Sequence, residues 1–153
     1  MTRLHETIET MLPIETSFDF IADFANAAKW DPGVVTSERL DDGPVGVGAL
    51  YRLGIRLGGR VAPMEYRISV FDRPRRVVLV GEGSGVSATD DIRFGPVGPA
   101  TRIDYTADIR LTGLLRFAQP FLSGAFTKLA RNAAVGMRRA LDARAEPDPL
   151  PKP

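Results

Sequence analysis

The stretch PFLSGAFTKLARNAAVGMRRALDAR, residues Pro120–Arg144, decides how the rest of this chain is arranged. Ala, Leu, Met, Lys and Arg dominate it, and these residues lose little on entering a helix. Leu122, Phe126, Leu129, Ala133, Met137 and Ala140 recur at steps of three or four and line one face. Arg116, Ser123, Thr127, Arg131, Arg138 and Asp142 occupy the other. Read as one helix it is roughly 37 Å long, enough to cross a small domain. Pro120 suits a first turn, where a missing N–H leaves nothing unpaired, and Pro147, Pro149, Pro151 and Pro153 end the pattern. Ala118, Ala125, Ala133, Gly136 and Ala140 lie on or beside the apolar stripe. Such small residues suit either close packing on a sheet or the wall of a cavity; from the helix alone, close packing is the preferred reading.

Working outward, 153 residues make one domain with a self-sufficient core. Residues 1–145 are read as that domain and 146–153 as a Pro-rich disordered tail. There is no cysteine, which excludes disulfides, thiolate catalysis and Cys-ligated metals. A single histidine, His5, argues against His-pair metal sites and a Ser–His–Asp triad. The net charge is +1 with scattered charges, so no nucleic-acid stripe is evident. No apolar run reaches the ~18 residues of a membrane span, and Met1–Thr10 lacks a signal-peptide core. The expectation is a cytoplasmic protein with no stable membrane insertion.

Upstream of the helix, Arg3–Met11 alternates as a strand, with Leu4, Glu6 and Ile8 inward and His5 exposed. From Pro13 a helical segment places Phe18, Ile21, Ala22 and Ala25 on one face, and Asn26–Trp30 adds a second short turn. Trp30-Asp31-Pro32-Gly33 breaks it, because Asp31 before proline avoids helical geometry. The lone Trp30 reads as a core anchor. The period then changes to two. Strands are expected over Val34–Leu40, Ala49–Leu57, Val61–Asp72, Val77–Glu82, Ser87–Phe94 and Thr101–Leu111, with Gly58-Gly59, Gly83-Ser84-Gly85 and Gly95–Ala100 as turns. Short connections force antiparallel neighbours, and one charged face leaves a single face to cover.

That order, with Phe18-Asp19-Phe20-Ile21-Ala22-Asp23-Phe24, Trp30-Asp31-Pro32-Gly33 and the Gly/Pro turn before Thr101-Arg102-Ile103-Asp104-Tyr105-Thr106, resembles the START/Bet v 1-like (SRPBCC) superfamily. Within it the sequence is similar to the polyketide cyclase/dehydrase-like group, over about Leu4 to Leu141. The resemblance implies an α+β helix-grip fold. A curved seven-stranded antiparallel sheet wraps around a long C-terminal helix, two short helices follow the first strand, and an apolar cavity lies between sheet and helix. It tips the small residues of the helix towards lining that cavity. The superfamily hosts carriers, receptors, cyclases, chaperone activators and oxygenase domains, so the fold does not choose among them.

Alternation predicts an inward set of Ile8, Tyr51, Leu53, Tyr66, Ile68, Asp90, Ile92, Tyr105, Ala107 and Ile109, closed by Leu122, Ala125, Phe126, Leu129 and Ala133. All three tyrosines fall on it, each with a hydroxyl that wants a partner when buried. The function expected is binding of a hydrophobic small molecule, lipid or aromatic, as carrier or sensor. No cofactor is implied, and a homodimer is left open. An alternative is cyclase or dehydratase chemistry, with Asp90 or Glu6 as base and Tyr51, Tyr66 or Tyr105 as donor. Against it, Asp90 stands in Thr89-Asp90-Asp91, where a one-residue slip turns it to solvent; a surface carboxylate is the preferred reading. A second alternative, a chaperone-activator type of interaction module, calls for an exposed apolar patch.

Overall fold

The computed structural model describes residues 1–146, so the proline-rich tail read over 146–153 lies, Glu146 apart, outside the described residues. Seven strands form one antiparallel sheet: β1 (Thr2–Thr10), β2 (Val34–Arg39), β3 (Leu50–Leu57), β4 (Arg60–Asp72), β5 (Arg76–Gly83), β6 (Val86–Val97) and β7 (Ala100–Leu111). Helix α1 (Ile14–Ala22), a 3₁₀ turn (Phe24–Asn26) and α2 (Ala27–Trp30) separate β1 from β2. A second 3₁₀ turn (Gly113–Ala118) leads into α3 (Gln119–Ala145). The spatial order is β1-β7-β6-β5-β4-β3-β2: a meander from β2 to β7, closed by β1 on the edge of β7. This is the helix-grip architecture that the resemblance implied.

Turn chemistry sets the meander. Gly58 and Gly59 both take positive φ (53° and 83°), the geometry that matches the right-handed twist of a two-residue hairpin. Expected as a turn, Gly95–Ala100 is mostly strand: Pro96 pairs with Thr101 and Val97 with Ala100, leaving Gly98-Pro99 alone to reverse the chain. β5 pairs with β6 only as far as Arg93, so Pro96 sits where one side of β6 is already an edge and proline is tolerated. Irregularities between Val34 and Thr36, and between Ile68 and Val70, bend the sheet around its contents.

Two covers meet the concave face. Beneath α1, Phe18 is wholly buried and meets Phe71 and Phe94 edge-on, each with ring centroids 5.2 Å away. Helix α3 runs beside β1 in the same direction: Thr2 Oγ1 lies 3.4 Å from Ser123 Oγ, and Thr10 donates to Asp142 at 2.8 Å. Its start is fastened by Gln119, which accepts from the Leu111 N–H (2.8 Å) and donates to the Ile109 carbonyl (2.9 Å) and Thr2 (2.8 Å). The buried stripe of α3 is Phe126, Ala130, Ala133, Ala134, Met137 and Leu141. Leu122, expected in that stripe, is exposed: the first two turns of α3 hold the sheet through the polar Gln119 and Ser123, and the buried apolar stripe begins at Phe126. Gly136 is where α3 comes closest to the Trp30–Pro32 corner; a Cβ there would collide with the Trp30 carbonyl oxygen.

On the convex face the charges pair across strands. Arg3 meets Asp108 at 2.8 Å, Thr7 donates to Asp104 at 2.8 Å, and exposed His5 sits 3.0 Å from the Thr106 hydroxyl. His5 thus belongs to the outer face.

Candidate functional site

Between the sheet, α3 and the Trp30–Gly33 corner lies a cavity of ≈ 100 Å³. The sheet contributes Leu53, Met64, Tyr66, Ala88, Asp90, Tyr105 and Ala107; α3 contributes Phe126, Leu129, Ala130 and Ala133; the corner contributes Trp30 and Asp31. Among the described residues no Lys, Arg or His lines it.

Asp90 is the chemical centre of this wall. β6 alternates Val86, Ala88, Asp90, Ile92 and Phe94 inward, and Asp90 stands opposite Leu79 on β5 and Ala107 on β7. Its neighbour Asp91 takes the outer face, where Arg76 Nε and Nη2 donate to its two carboxylate oxygens at 3.1 and 3.0 Å. That pairing settles the register and overturns the surface reading of Asp90, which is 6 % exposed. Burial pushes the Asp90 carboxyl up to about 7; hydrogen bonding with the Tyr105 hydroxyl works the other way, and the charges of Asp31 and Asp108 add to the rise. Asp31 is likewise pushed up to about 6 by burial, against the pull of the Gly33 N–H that donates to Oδ1 at 2.8 Å. Tyr66 and Tyr105 are held well above the usual phenol range, by burial first and then by the negative charge of Asp90. Near neutral pH the cavity therefore presents two phenol donors beside a carboxyl that trades its proton easily.

Aromatic packing fixes these groups. The Phe24 ring lies 5.4 Å from Tyr66 and 6.2 Å from Trp30, which in turn meets Tyr105 at 6.5 Å, all steeply inclined. Tyr66 lies flat over its cross-strand partner Gly81, a space that any side chain at Gly81 would fill. The Trp30 Nε1–H is buried without a hydrogen-bond partner among the described residues.

Of the residues singled out from sequence, Leu53, Tyr66, Asp90, Tyr105, Ala107, Phe126, Leu129 and Ala133 come together here. Tyr51, Ile68 and Ile92 are fully buried but line no part of the cavity. They belong to the packed remainder of the core, where Tyr51 lies 6.3 Å from Phe24 and beneath the Arg39 guanidinium. Leu122 and Ala125 face solvent on the first two turns of α3. Glu6 is half-buried on the edge strand β1, opposite Tyr105 in register but outside the lining. Sequence reasoning missed Asp31, read only as part of a turn. The contact that brings it in is the non-local approach of α3 at Gly136, which no local pattern announces. Trp30, read as an anchor, is both anchor and wall.

Among the described residues no helix is long and apolar enough to cross a membrane. No curated protein matches the sequence. Solved structures do resemble the fold. A START superfamily protein from Mycobacterium smegmatis is 16% identical, with 94% of this chain and 97% of that one covered and a TM-score of 0.72. The Zhui aromatase/cyclase from Streptomyces sp. R1128 is 15% identical, with 94% and 92% covered and a TM-score of 0.75. A protein from Thermus thermophilus is 14% identical, with 94% and 99% covered and a TM-score of 0.77. At such identities the likeness is one of fold. The family model described as polyketide cyclase/dehydrase and lipid transport matches residues 1–142. A match from Met1 to Asp142 takes in all seven strands and nearly all of α3, and the chain belongs to that family.

Proposed function

We propose that this protein binds a hydrophobic small molecule between the sheet and α3, as a carrier or sensor. The observation that carries this reading is the convergence of Asp90, Tyr66 and Tyr105 at one wall of an otherwise apolar cavity. Apolar contact supplies affinity and the phenol and carboxyl groups supply orientation. Volume narrows the ligand: ≈ 100 Å³ is below the ~300 Å³ at which drug-sized sites begin and nearer the ~150 Å³ that holds benzene. A single-ring ligand with a hydrogen-bonding oxygen comes nearest to this volume and needs only a small outward shift of the walls; a long-chain lipid or polycycle requires α3 to move much further. Two carboxyls and, among the described residues, no cation in the lining also disfavour a fatty-acid carboxylate.

Thermal-shift and native mass spectrometry across phenols, cyclic ketones, polycyclic aromatics, sterols and fatty acids test the reading. A ligand at 100 times its Kd stabilises the fold by about 2.7 kcal/mol, and Ala133→Phe, which fills the cavity, abolishes that shift while the variant still melts cooperatively. No shift across the panel, or an equal shift in Ala133→Phe, refutes it.

A second reading, cyclase or dehydratase chemistry, draws support from the same carboxyl. Asp90, poised near neutrality beside two phenols, suits a base that removes a proton α to a carbonyl, with Tyr66 or Tyr105 donating to the developing enolate. Asp90→Asn then retains binding and loses turnover.

A further inference from the structure

A second feature lies outside the cavity. Leu114, Leu115, Phe117, Phe121 and Leu122 are all exposed within residues 114–122, Leu114 and Phe121 at 86 % and Phe117 at 65 %. This is not a frayed end. Gln119 pins the segment to β7 and β1 with three hydrogen bonds, and the Thr112 N–H donates to the Gly85 carbonyl at 2.8 Å. The apolar side chains therefore project from an ordered corner made of one 3₁₀ turn and the first turn of α3. The charge around it is one-sided. From Arg110 to Leu141 the chain carries six cations and no acid, although its overall net charge is only +1. Arg110, Arg116, Lys128 and Arg131 are exposed and make no ion pair among the described residues.

We propose that this corner docks the protein reversibly onto an anionic lipid surface. Apolar tips on a projecting corner enter the boundary between headgroups and acyl chains, and flanking cations are drawn to anionic headgroups. A protein partner would ask for a flatter or concave apolar face and gains no particular benefit from a cationic margin free of acids. Docking in this way sets the cavity close to the bilayer. Leu115 packs over Gly85 in the β5–β6 turn, next to Val86 of the cavity wall, and Phe126 follows Phe121 on the same helix.

The test is co-sedimentation of the full chain with phosphatidylcholine vesicles, with and without about one-third phosphatidylglycerol. Binding is expected on the anionic vesicles, falling by about tenfold or more on pure phosphatidylcholine and at high salt. Phe117→Ser combined with Phe121→Ser should lower binding by about tenfold or more with an unchanged melting temperature. Lys128→Glu combined with Arg131→Glu, both on the solvent side of α3, should do the same and keeps the test decisive if the first pair unfolds. No binding to anionic vesicles, or binding indifferent to both pairs, overturns the proposal. So does light scattering that finds a lipid-free dimer dissociated by the Phe117/Phe121 pair, which would give the corner to a second copy.

Discussion

The two ends of strand β6 share one sheet, one alternation and one concave face, yet they enclose different interiors. At the α1 end, Phe18 meets both Phe94 and Phe71, the wholly buried Ile21 and Ile92 belong to the same core, and large apolar side chains fill the space. At the α3 end, Val86, Ala88 and Asp90 face Ala107, Ala130 and Ala133, and the volume is left open. The difference is one of side-chain size, since the backbone ladder is continuous through both. In this chain the cavity is made by short residues on strands that remain fully paired, so the site is held by the same hydrogen bonds as the core.

The largest effect should come from breaking the filled end. Phe18→Ala removes a wholly buried ring from between Phe71 and Phe94 and should cost about 3–5 kcal/mol in urea unfolding. A loss below about 1 kcal/mol would mean that the two ends are packed alike.

A smaller effect with the opposite sign belongs to the open end. The folded-state pKa of Asp90, about 7, lies above its unfolded value near 3.8, so between those pH values the folded chain holds a proton that the unfolded chain has released. Stability therefore falls as pH rises through that window and stays low above it. Asp90→Asn, which never ionises, should be more stable than the wild type at pH 8 by about 1–4 kcal/mol, the gap closing below about pH 4. A gap independent of pH would place the Asp90 carboxylate in contact with water.

The smallest effect sharpens the contrast within one dipeptide. Burial works against ionisation of Asp91, but its Arg76 hydrogen bonds and the charges of Arg76 and Arg93 prevail and hold its carboxyl below the usual range. Stability from this pair is present above the unfolded pKa and lost as pH falls through the folded one. Asp91→Asn should destabilise by about 0–1 kcal/mol at pH 8, because the pair is partly solvated. Adjacent carboxylates thus respond to one substitution with opposite signs, which differential scanning calorimetry at two pH values reads directly.

The strands were legible because their inner and outer residues differ in kind, as in Tyr51, Leu53 and Ile55 against Arg52 and Arg56. Asp90 was not, because Thr89-Asp90-Asp91 reads equally well in either register; only the partner strands, with Arg76 on the outside and Ala107 on the inside, decide. The α3 stripe was legible in its middle and misread at its start, since periodicity tells which side chains share a face but not where along it burial begins. Asp31 and the corner of α2 depend on the long-range contact at Gly136, which has no counterpart in local pattern.

Tyr66 and Gly81 bear on any attempt to reshape the pocket. Because the phenol ring occupies the space a side chain at Gly81 would need, the two positions vary as one. A library that diversifies Gly81 alone will return collapsed variants, whereas one that shortens Tyr66 first gains both a roomier chamber above Asp90 and a new attachment point on β5 for tailoring selectivity.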